Sequence, residues 1–521
     1  MILKKINFKF YFIILLLFSI SINQYFGYLG LNPIDSFFSF NSGYEILNGY
    51  FPFKDYWTIT GPFIAFVQSI LFKILGVSWF SYVFHASIFN FILVIATFLT
   101  LYSFKLNLHY CFFYSFLLSI LAYPSSGTPY VDHHASYLSI ISIFCFIIAI
   151  QKKLNIFWFI LPNLLGIAFL TKQAPTGHFL ILIIFLSLIY FSFNFNLKKI
   201  LIYLSGFIFF LFIFLTILYM SKIPFLNFFQ QYILFPLSLG ESRLEFFFPV
   251  EFKRFILRFK LIHLSSIILL IVIIQNIFNN FKYIKSKDFI VLSSLIGSSY
   301  ALIVHQLMTI NGLFIFFVIP ILAAFSHIFL LKYFKQKSYI IYFLIFLSLG
   351  STIHYYNKYI HKRDFMDLKN ANFKNAVNAD IIDKKLKGLK WITVLNPKNP
   401  LEEINDLKKV IEIIKKDQSK KVIITDYQFI SVILSIYDYS PSQVWFNYHV
   451  NPEVGTKYFS TYKNFFINKI KKNNIKVIYV IKPMWGGHDV VEKPLNKNCY
   501  EIKNETKILN KYILLNCNDL K

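Results

Sequence analysis

The chain has 521 residues, of which 56% are hydrophobic and 20% are aromatic, and its mean hydropathy is +0.57. A water-soluble fold cannot cover that much apolar surface with polar groups, so the composition excludes a soluble globular protein and indicates a membrane protein. The net charge of +27 does not indicate nucleic-acid binding, because the lysines stand between apolar runs, where the positive-inside rule places them.

Apolar runs along the chain predict about eleven membrane-spanning helices. The first run, about residues 8–29, has lysines before it and no small-residue cleavage site after it, so we interpret it as an uncleaved span with a cytoplasmic N-terminus. The stretch 62–76 is short for a span and contains Lys73, which favours an interfacial or re-entrant helix. The later predicted spans are 79–104, 109–123, 134–150, 155–171, 177–195, 200–220, 261–279, 289–305, 311–331 and 338–354.

The distribution of lysines predicts the topology. Short lysine clusters fall in alternate loops, on the side of the N-terminus, as the positive-inside rule requires of cytoplasmic loops. These lysines are Lys105, Lys152, Lys153, Lys198, Lys199, Lys282, Lys285, Lys287, Lys332, Lys335 and Lys337. An odd number of spans then places the C-terminal region outside the cytoplasm. Separately, the heavy use of Phe, Ile, Lys and Asn is typical of a protein from an AT-rich bacterial genome. We expect a multi-pass protein of the bacterial cytoplasmic (inner) membrane, with long outer loops at 30–78 and 221–260.

The C-terminal region differs in pattern from the apolar part, so we expect two domains, 1–355 and 356–521. Strand-like and helix-like segments alternate in the second, which predicts a soluble, periplasmic α/β domain with a mainly parallel sheet. The predicted strands are Lys390–Leu395, Lys421–Thr425 and Lys476–Ile481, and the predicted helices are Pro400–Lys416, Phe429–Tyr437 and Tyr458–Lys472. No Gly-rich phosphate loop follows a strand, so we expect no nucleotide site there. Outside the cytoplasm, a disulfide between Cys499 and Cys517 is plausible.

Carboxylates are scarce in the apolar part and are concentrated on one predicted face. A carboxylate near hydrocarbon is costly unless it is paired or used. The first 353 residues contain Asp35, Glu45, Asp55, Asp132, Glu241, Glu245, Glu251 and Asp288. All but Asp288 fall in or near predicted outer segments, which suggests that the outer face holds a polar site, although loops are also where carboxylates are most easily tolerated.

A series of short motifs follows the first span in a recognisable order. Asp35 comes a few residues after the span, then GYFPFKDY at 49–56, TGPF at 60–63, and an apolar run that ends in LGVS at 75–78. This order resembles the GT-C class of membrane glycosyltransferases, whose members include protein O-mannosyltransferases and lipid A aminoarabinose transferases. Many protein O-mannosyltransferases have two adjacent acids where this chain has Asp35 and Ser36, which weakens the case for a protein acceptor.

The resemblance covers about residues 1–200, is architectural over 200–355 and is absent from the tail. It implies a GT-C-like helical domain that moves a hexosyl or pentosyl unit from a polyprenyl-phosphate-linked donor to an acceptor hydroxyl outside the cytoplasmic membrane. The acceptor could be a glycan, a lipid or a protein. The leaving phosphate needs no general acid, whereas the acceptor needs a base, and a single carboxylate opposite the leaving group would give inversion.

Asp35 is the candidate general base, and a helix N-cap is its simplest structural alternative. Asp132, just before a predicted span, is the second candidate: it could assist Asp35, bind a sugar hydroxyl or ligate a metal. No cofactor is expected to be required. A divalent metal at Asp35 or Asp132 is left open but not favoured, because consecutive helical residues such as Asp132, His133 and His134 do not face one direction.

The remaining candidate residues follow from charge and position. A departing phosphate needs positive charge nearby, which makes Lys172, Arg243, Arg254 and Arg258 candidates for binding the donor phosphate. Lysine snorkelling and salt bridges within the loop are the structural alternatives. The candidates for binding substrate are Asp55, Tyr56, His133, His134 and His305.

Two other functions compete with glycosyl transfer. A flippase or transporter of lipid-linked sugars would place ionisable residues in mid-span and show two related halves, neither of which the sequence shows. An O-antigen ligase or polymerase would more typically depend on a large, late outer loop rich in Arg and His. Substitution of Asp35 distinguishes them, because it should abolish sugar transfer and leave transport intact.

Overall fold

The structure is a computed structural model, and it describes residues 2–152, 154–240, 251–309, 314–334, 338–443, 450–482 and 488–515. Up to residue 355 the described chain is mainly helical. In chain order the helices are α1 Ile2–Gly27, α2 Pro33–Leu47, α3 Phe63–Leu75, α4 Trp79–Ser103, α5 Leu108–Leu121, α6 Val131–Lys152, α7 Asn155–Phe169, α8 Gln173–Phe193, α9 Leu197–Met220, α10 Lys260–Asn279, α11 Lys287–Thr309, α12 Val318–Tyr333 and α13 Ser338–Tyr355. Short helical segments at Phe225–Phe228, Phe229–Leu234, Phe235–Ser238 and Lys253–Leu257 lie between α9 and α10.

Eight described helices are long and apolar enough to cross a membrane: α1, α4, α6, α8, α9, α10, α11 and α13. The prediction of a multi-pass α-helical membrane protein is confirmed. Each of the eleven predicted spans corresponds to a helix, but α5, α7 and α12 have only 14, 15 and 16 residues. A perpendicular crossing takes about 20 residues, so length supports eight of the eleven. The stretch 62–76 forms the short helix α3.

The chain divides into two compact units by its internal contacts. The first comprises residues 1–27, 86–214 and 243–365, and the second comprises 28–85, 215–242 and 366–521. The predicted division at residue 355 therefore resembles the observed one in the tail, but the second unit also takes in two segments from the apolar part. The division into the domains 1–355 and 356–521 stays a prediction.

Helices of the first unit pack through small residues and buried polar groups. A Cβ on Gly206 of α9 would lie 2.3 Å from the carbonyl oxygen of Phe159 in α7, so only glycine permits this approach. Asn163 of α7 donates a hydrogen bond to the Gly206 carbonyl at 3.1 Å. Buried Asn90 of α4 donates to the carbonyls of Ser19 and Ser119. Without a hydrophobic drive between helices in lipid, such contacts supply much of the association.

The second unit contains two sheets. Its strands are β1 Leu29–Leu31, β2 Val377–Asn378, β3 Lys390–Thr393, β4 Lys421–Ile424, β5 Val477–Ile481, β6 Tyr500–Thr506 and β7 Leu509–Leu514. Its helices in the C-terminal region are α14 Pro400–Lys416, α15 Phe429–Leu434 and α16 Phe459–Asn473. The first sheet has the order β1-β3-β2 and the second has the order β4-β5-β7-β6.

The predicted α/β character of the C-terminal domain is confirmed, but the prediction of a mainly parallel sheet is wrong. In the second sheet β4 and β5 are parallel, whereas β7 pairs antiparallel with both β5 and β6. The difference comes from the hairpin β6–β7, which the sequence analysis missed. Strand β6 is largely exposed and polar, so it lacks the apolar alternation by which a strand is recognised.

Strand β1 joins the start of the chain to the C-terminal region within the second unit. It pairs in parallel with β3, with Leu29 opposite Lys390 and Leu31 opposite Thr393. Helix α2 follows directly and buries Phe37 and Phe40 in the same core as residues of β3 and α14. The segment that carries Asp35 is thus built on the C-terminal region. A strand of three residues gives no periodic signal, so the sequence did not predict this pairing.

Candidate active site

Three candidate residues that are far apart in the sequence meet in the first unit. Asp132 lies in the first turn of α6, Lys172 joins α7 to α8, and His305 lies near the end of α11. The Lys172 Nζ donates to both Asp132 carboxylate oxygens, at 2.7 and 2.8 Å. The His305 Nε2 lies 2.9 Å from the Asp132 Oδ1. We call Asp132, Lys172 and His305 the charged cluster.

Two residues of the charged cluster are buried and the third is partly exposed. The side chains of Asp132 and His305 are 3% and 1% exposed, whereas that of Lys172 is 20% exposed. Removing two charges from water is costly, and the cost is offset only where ion pairing and hydrogen bonding are good, as they are here. The accessible end of the cluster is the Lys172 ammonium, which the carboxylate holds in place.

Polar atoms without a partner lie in the same helices as the charged cluster. Gln306 is fully buried, and neither its amide oxygen nor its amide nitrogen has a hydrogen-bond partner in the described part of the chain. The Nδ1 of His178 in α8 likewise has no hydrogen-bond partner in the described part of the chain. The centre of the His178 ring lies 6.4 Å from that of the His305 ring. Buried polar groups are normally satisfied, so these atoms are suited to bind water or a polar ligand.

The loop before Asp132 is fixed by a buried arginine. The Arg363 side chain is 1% exposed, and its guanidinium donates to the carbonyls of Pro124, Ser125 and Ser126 at 3.0–3.1 Å. These carbonyls follow the end of α5. Arg363 was not predicted from the sequence, because one arginine after the last span looks like an ordinary extracytoplasmic or interfacial residue until the loop that it binds is known.

Gly127 fixes the same loop by its backbone. Its φ is +77°, in the left-handed region that side chains disfavour. A Cβ there would also lie 2.6 Å from the Gly27 Cα at the end of α1. Both the conformation and the close approach require glycine, so the path of the chain into α6 is tightly set.

His133 and His134 do not join the charged cluster. The His133 Nε2 lies 3.0 Å from the Ser125 Oγ, and the His134 Nδ1 contacts the Tyr123 hydroxyl. Both histidines are buried among aromatic rings, such as Phe365 beside His133 and Phe89 beside His134. These contacts account for both histidines as buried structural residues, and their substrate-binding role stays a prediction.

The charged cluster does not fit a divalent metal as it stands. The Lys172 ammonium lies within hydrogen-bonding distance of both Asp132 oxygens, where a cation bound by that carboxylate would have to sit. Among the described residues no group of three or more His, Cys, Asp or Glu side chains is arranged to hold an ion.

Asp35 lies in the second unit, in the first turn of α2, and its side chain is half-buried. The residue at the N-cap position is Asn32, not Asp35, with Pro33 opening the helix. A carboxylate in the first turn still interacts favourably with the helix dipole. The side chain of Asn32 also donates to Asp367 at 3.3 Å, which ties the helix start to the C-terminal region.

Asp55 and Tyr56 have structural partners within the second unit. The Asp55 carboxylate accepts from the Phe51 backbone N–H at 2.9 Å and from the Lys469 Nζ at 3.1 Å. Tyr56 is buried at 3% exposure. These contacts fix the path of the stretch 49–56, and the role of Asp55 and Tyr56 in substrate binding stays a prediction.

The other candidates are placed as follows. Arg254 lies in the helical segment Lys253–Leu257 and Arg258 follows it, packed over the Phe259 ring. Arg243 lies outside the described residues. Cys499 is buried directly before β6 and is disulfide-bonded. Cys517 lies outside the described residues, so its predicted pairing with Cys499 stays a prediction.

No family model and no curated protein matches this sequence. Solved structures of the Archaeoglobus fulgidus oligosaccharyltransferase resemble it in fold. The form with Zn and sulfate has a TM-score of 0.41 at 14% identity, over 90% of this chain and 68% of that chain. The apo form has a TM-score of 0.43 at 13% identity, over 95% and 73%. The form with an inhibitory peptide and a dolichol-phosphate, there called AglB, has a TM-score of 0.42 at 14% identity, over 92% and 70%.

All three are structures of an oligosaccharyltransferase. At this similarity the comparison concerns the overall helical architecture alone. The chemistry of this chain therefore rests on its own side chains.

Proposed function

We propose that this protein is a membrane glycosyltransferase that uses a polyprenyl-phosphate-linked sugar on the outer face of the bacterial cytoplasmic membrane. It transfers a hexosyl or pentosyl unit to an acceptor hydroxyl with inversion. The observation that carries the proposal is the charged cluster. An ion pair buried at the ends of apolar helices is costly to maintain in a membrane protein and is typically retained for function.

The charged cluster supplies the positive charge for the leaving group. Because Asp132 and His305 are buried and Lys172 is partly exposed, a ligand approaching the cluster meets the ammonium first. A lysine held by a carboxylate keeps its position and still has a donor free for a phosphate oxygen. We assign to Lys172 the contact with the donor phosphate, where negative charge grows as the sugar departs.

Asp132 and His305 act as positioning residues in this proposal. A carboxylate whose two oxygens accept from an ammonium is a poor proton acceptor, so Asp132 is not suited to be the base. Of the three alternatives for Asp132, an assisting role in the reaction fits its contacts better than binding a sugar hydroxyl or a metal. His305 fixes the orientation of the carboxylate from the other side.

Asp35 is assigned as the general base, on the strength of its place after the first span. In the reaction the acceptor oxygen attacks the anomeric carbon, and the bond from that carbon to the phosphate oxygen breaks. The acceptor proton passes to the Asp35 carboxylate, and the polyprenyl phosphate leaves with the bonding electron pair. Attack opposite the leaving group inverts the anomeric centre. No cofactor takes part in these steps.

The C-terminal domain is proposed to support the base and to engage the acceptor. Phe37, two residues after Asp35, stacks against Trp391 and contacts Phe429. Deletion of residues 366–521 would expose this core, so we expect loss of transfer together with increased proteolysis of the segment 28–85. Transfer at the full rate by the truncated chain would contradict the proposal.

Reconstitution tests the proposal against its alternatives. The purified chain in nanodiscs is given a panel of polyprenyl-phosphate hexoses and pentoses, and release of polyprenyl phosphate is measured by mass spectrometry with envelope extracts as acceptor. We expect release from at least one donor, with a loss of about 100-fold in Lys172→Gln, since removing one charge-stabilising donor typically costs 10²–10³ in rate. Lys198→Gln, at an exposed lysine, is the matched control.

Three outcomes would contradict the proposal. The first is movement of intact donor across proteoliposome membranes without cleavage, which would identify a flippase. The second is equal activity of Lys172→Gln and Lys198→Gln, which would remove the charged cluster from the reaction. Transfer of whole polysaccharide from a diphosphate-linked lipid, without use of any monosaccharide donor, would favour a ligase or polymerase instead.

A further inference from the structure

A second polar feature lies in the first unit, at the opposite ends of the helices from the charged cluster. It is a cavity of about 470 Å³, a size typical of small-molecule sites. Its polar lining is Ser103, Lys105, Gln151, Lys152, Asp288 and Lys332. The three lysines come from three separate places in the chain: after α4, at the end of α6 and near the end of α12. We call it the lysine cavity.

The only carboxylate lining the described lysine cavity is already engaged. Asp288 accepts from the Gln151 Nε2 at 3.1 Å and from the Tyr333 hydroxyl, and it lies 2.5 Å from the Lys332 Nζ. One lysine charge is thereby balanced. The lysine cavity keeps two positive charges in excess, on Lys105 and Lys152, and it offers the remaining N–H donors of Lys332. Such a lining selects an anion.

The direction of Lys105 is set by an unusual backbone. Its φ is +65°, a left-handed conformation usually given to glycine at the end of a helix. The Leu106 N–H donates to the Leu101 carbonyl at 3.3 Å, which closes the end of α4. A lysine costs more than glycine here. The sequence therefore keeps a cation at a position where a smaller, uncharged residue would be more stable.

The other part of the lining is apolar. Leu106, Ile328 and Phe329 line the same cavity as the three lysines. A free inorganic anion makes no favourable contact with an apolar lining. A phospholipid has a phosphate and acyl chains next to each other, so it can contact both parts of the lining. Basic pockets between transmembrane helices on the cytoplasmic side are sites of this kind.

We propose that the lysine cavity binds the headgroup phosphate of an anionic phospholipid. By the predicted topology, all three lysines belong to cytoplasmic loops, so the lipid comes from the inner leaflet. The positive-inside rule accounts for lysines on this face but not for three of them around one cavity with a neutralised carboxylate. The site is separate from the proposed chemistry, and its occupancy can be measured without sugar transfer.

The test compares two triple variants of the full chain in detergent. K105Q/K152Q/K332Q removes the lysines of the cavity, and K198Q/K282Q/K285Q removes three lysines from other loops of the same face. Binding of phosphatidylglycerol and phosphatidylcholine is titrated by native mass spectrometry. We expect about 100-fold weaker phosphatidylglycerol binding in the first variant, since each of the three lysines near an anionic headgroup contributes roughly a factor of five, and little change in the second.

Two further arms make the result decisive. The variant K105R/K152R/K332R keeps the charge, and it should retain phosphatidylglycerol binding if the glutamine variant loses it through charge and not through misfolding. Inorganic phosphate is added as a competitor and should displace no lipid at millimolar concentration. Equal losses in both glutamine variants, equal binding of the two lipids, or displacement of the lipid by inorganic phosphate would overturn the proposal.

Discussion

Removing one charge of the Asp132–Lys172 ion pair should lower the free energy of unfolding more than removing both charges. Lys172→Gln leaves the Asp132 carboxylate, 3% exposed, with His305 as its one remaining partner among the described residues. Removing one partner of a buried ion pair typically costs 3–5 kcal/mol. Asp132→Asn instead leaves the Lys172 ammonium without its carboxylate partner. Because Lys172 is 20% exposed and can turn toward water, we expect a smaller loss of stability, about 2–3 kcal/mol.

The double variant Asp132→Asn/Lys172→Gln removes both charges and lets two amides hydrogen-bond to each other. We expect a loss of about 2 kcal/mol, well below the sum of the two single losses, because neither variant residue leaves a buried charge. The free energy of unfolding is measured by reversible SDS unfolding in mixed micelles. Asp380→Asn and Lys198→Gln, at exposed positions, should each change it by less than about 0.5 kcal/mol. Single losses that add up in the double variant would refute the ion pair.

Three further predictions concern the loop before α6 and the C-terminal domain. Arg363→Met leaves three buried carbonyls without their hydrogen-bond donor, so we expect the free energy of unfolding to fall by about 3 kcal/mol and residues 123–130 to be cleaved faster by protease. Arg363→Lys should restore both only in part. Equal cleavage of Arg363→Met and the wild type would contradict the hydrogen bonds. Gly127→Ala should cost at least about 2 kcal/mol from strain and contact with Gly27, measured by the same SDS titration, and a loss below 0.5 kcal/mol would contradict the left-handed backbone. Burial raises the pKa of Asp438 to about 7, above 3.8 in the unfolded chain, so the folded form binds more protons and the C-terminal domain should lose stability, on the order of 3–4 kcal/mol, as the pH rises from about 4 to 7. Protection of the Ile423 amide, which donates to Asp438, reports this in hydrogen exchange corrected for intrinsic rates, and Asp438→Asn should flatten the slope.

The residues of the charged cluster were predicted one by one, but their meeting was not. Lys172 stood out as a cation on a predicted outer turn and Asp132 as a carboxylate near hydrocarbon, each for its own reason. They are 40 residues apart, and His305 is 173 residues from Asp132. Which helix ends come together depends on packing between helices of similar composition, and the hydropathy of each helix carries no information about its neighbours.

The helical part of the fold was predictable because long apolar runs are a strong signal. The missed elements were short or polar. Strand β1 has three residues, and β6 faces solvent along most of its length, so neither shows the alternation of a half-buried strand. The pairing of β1 with β3 also depends on a contact between chain segments about 360 residues apart, which no local pattern can show.

The proposed function depends on the carboxylate after the first span. The most direct test compares Asp35→Asn with the wild type and with Asp380→Asn, a matched exposed carboxylate of the same unit, in the nanodisc assay of polyprenyl phosphate release. We expect the Asp35 variant to fold, to bind donor and to lose transfer by about 100-fold or more, since a general base contributes typically 10²–10⁴, while Asp380→Asn keeps full activity. Undiminished transfer by Asp35→Asn, at any pH between 6 and 8, would contradict the central claim.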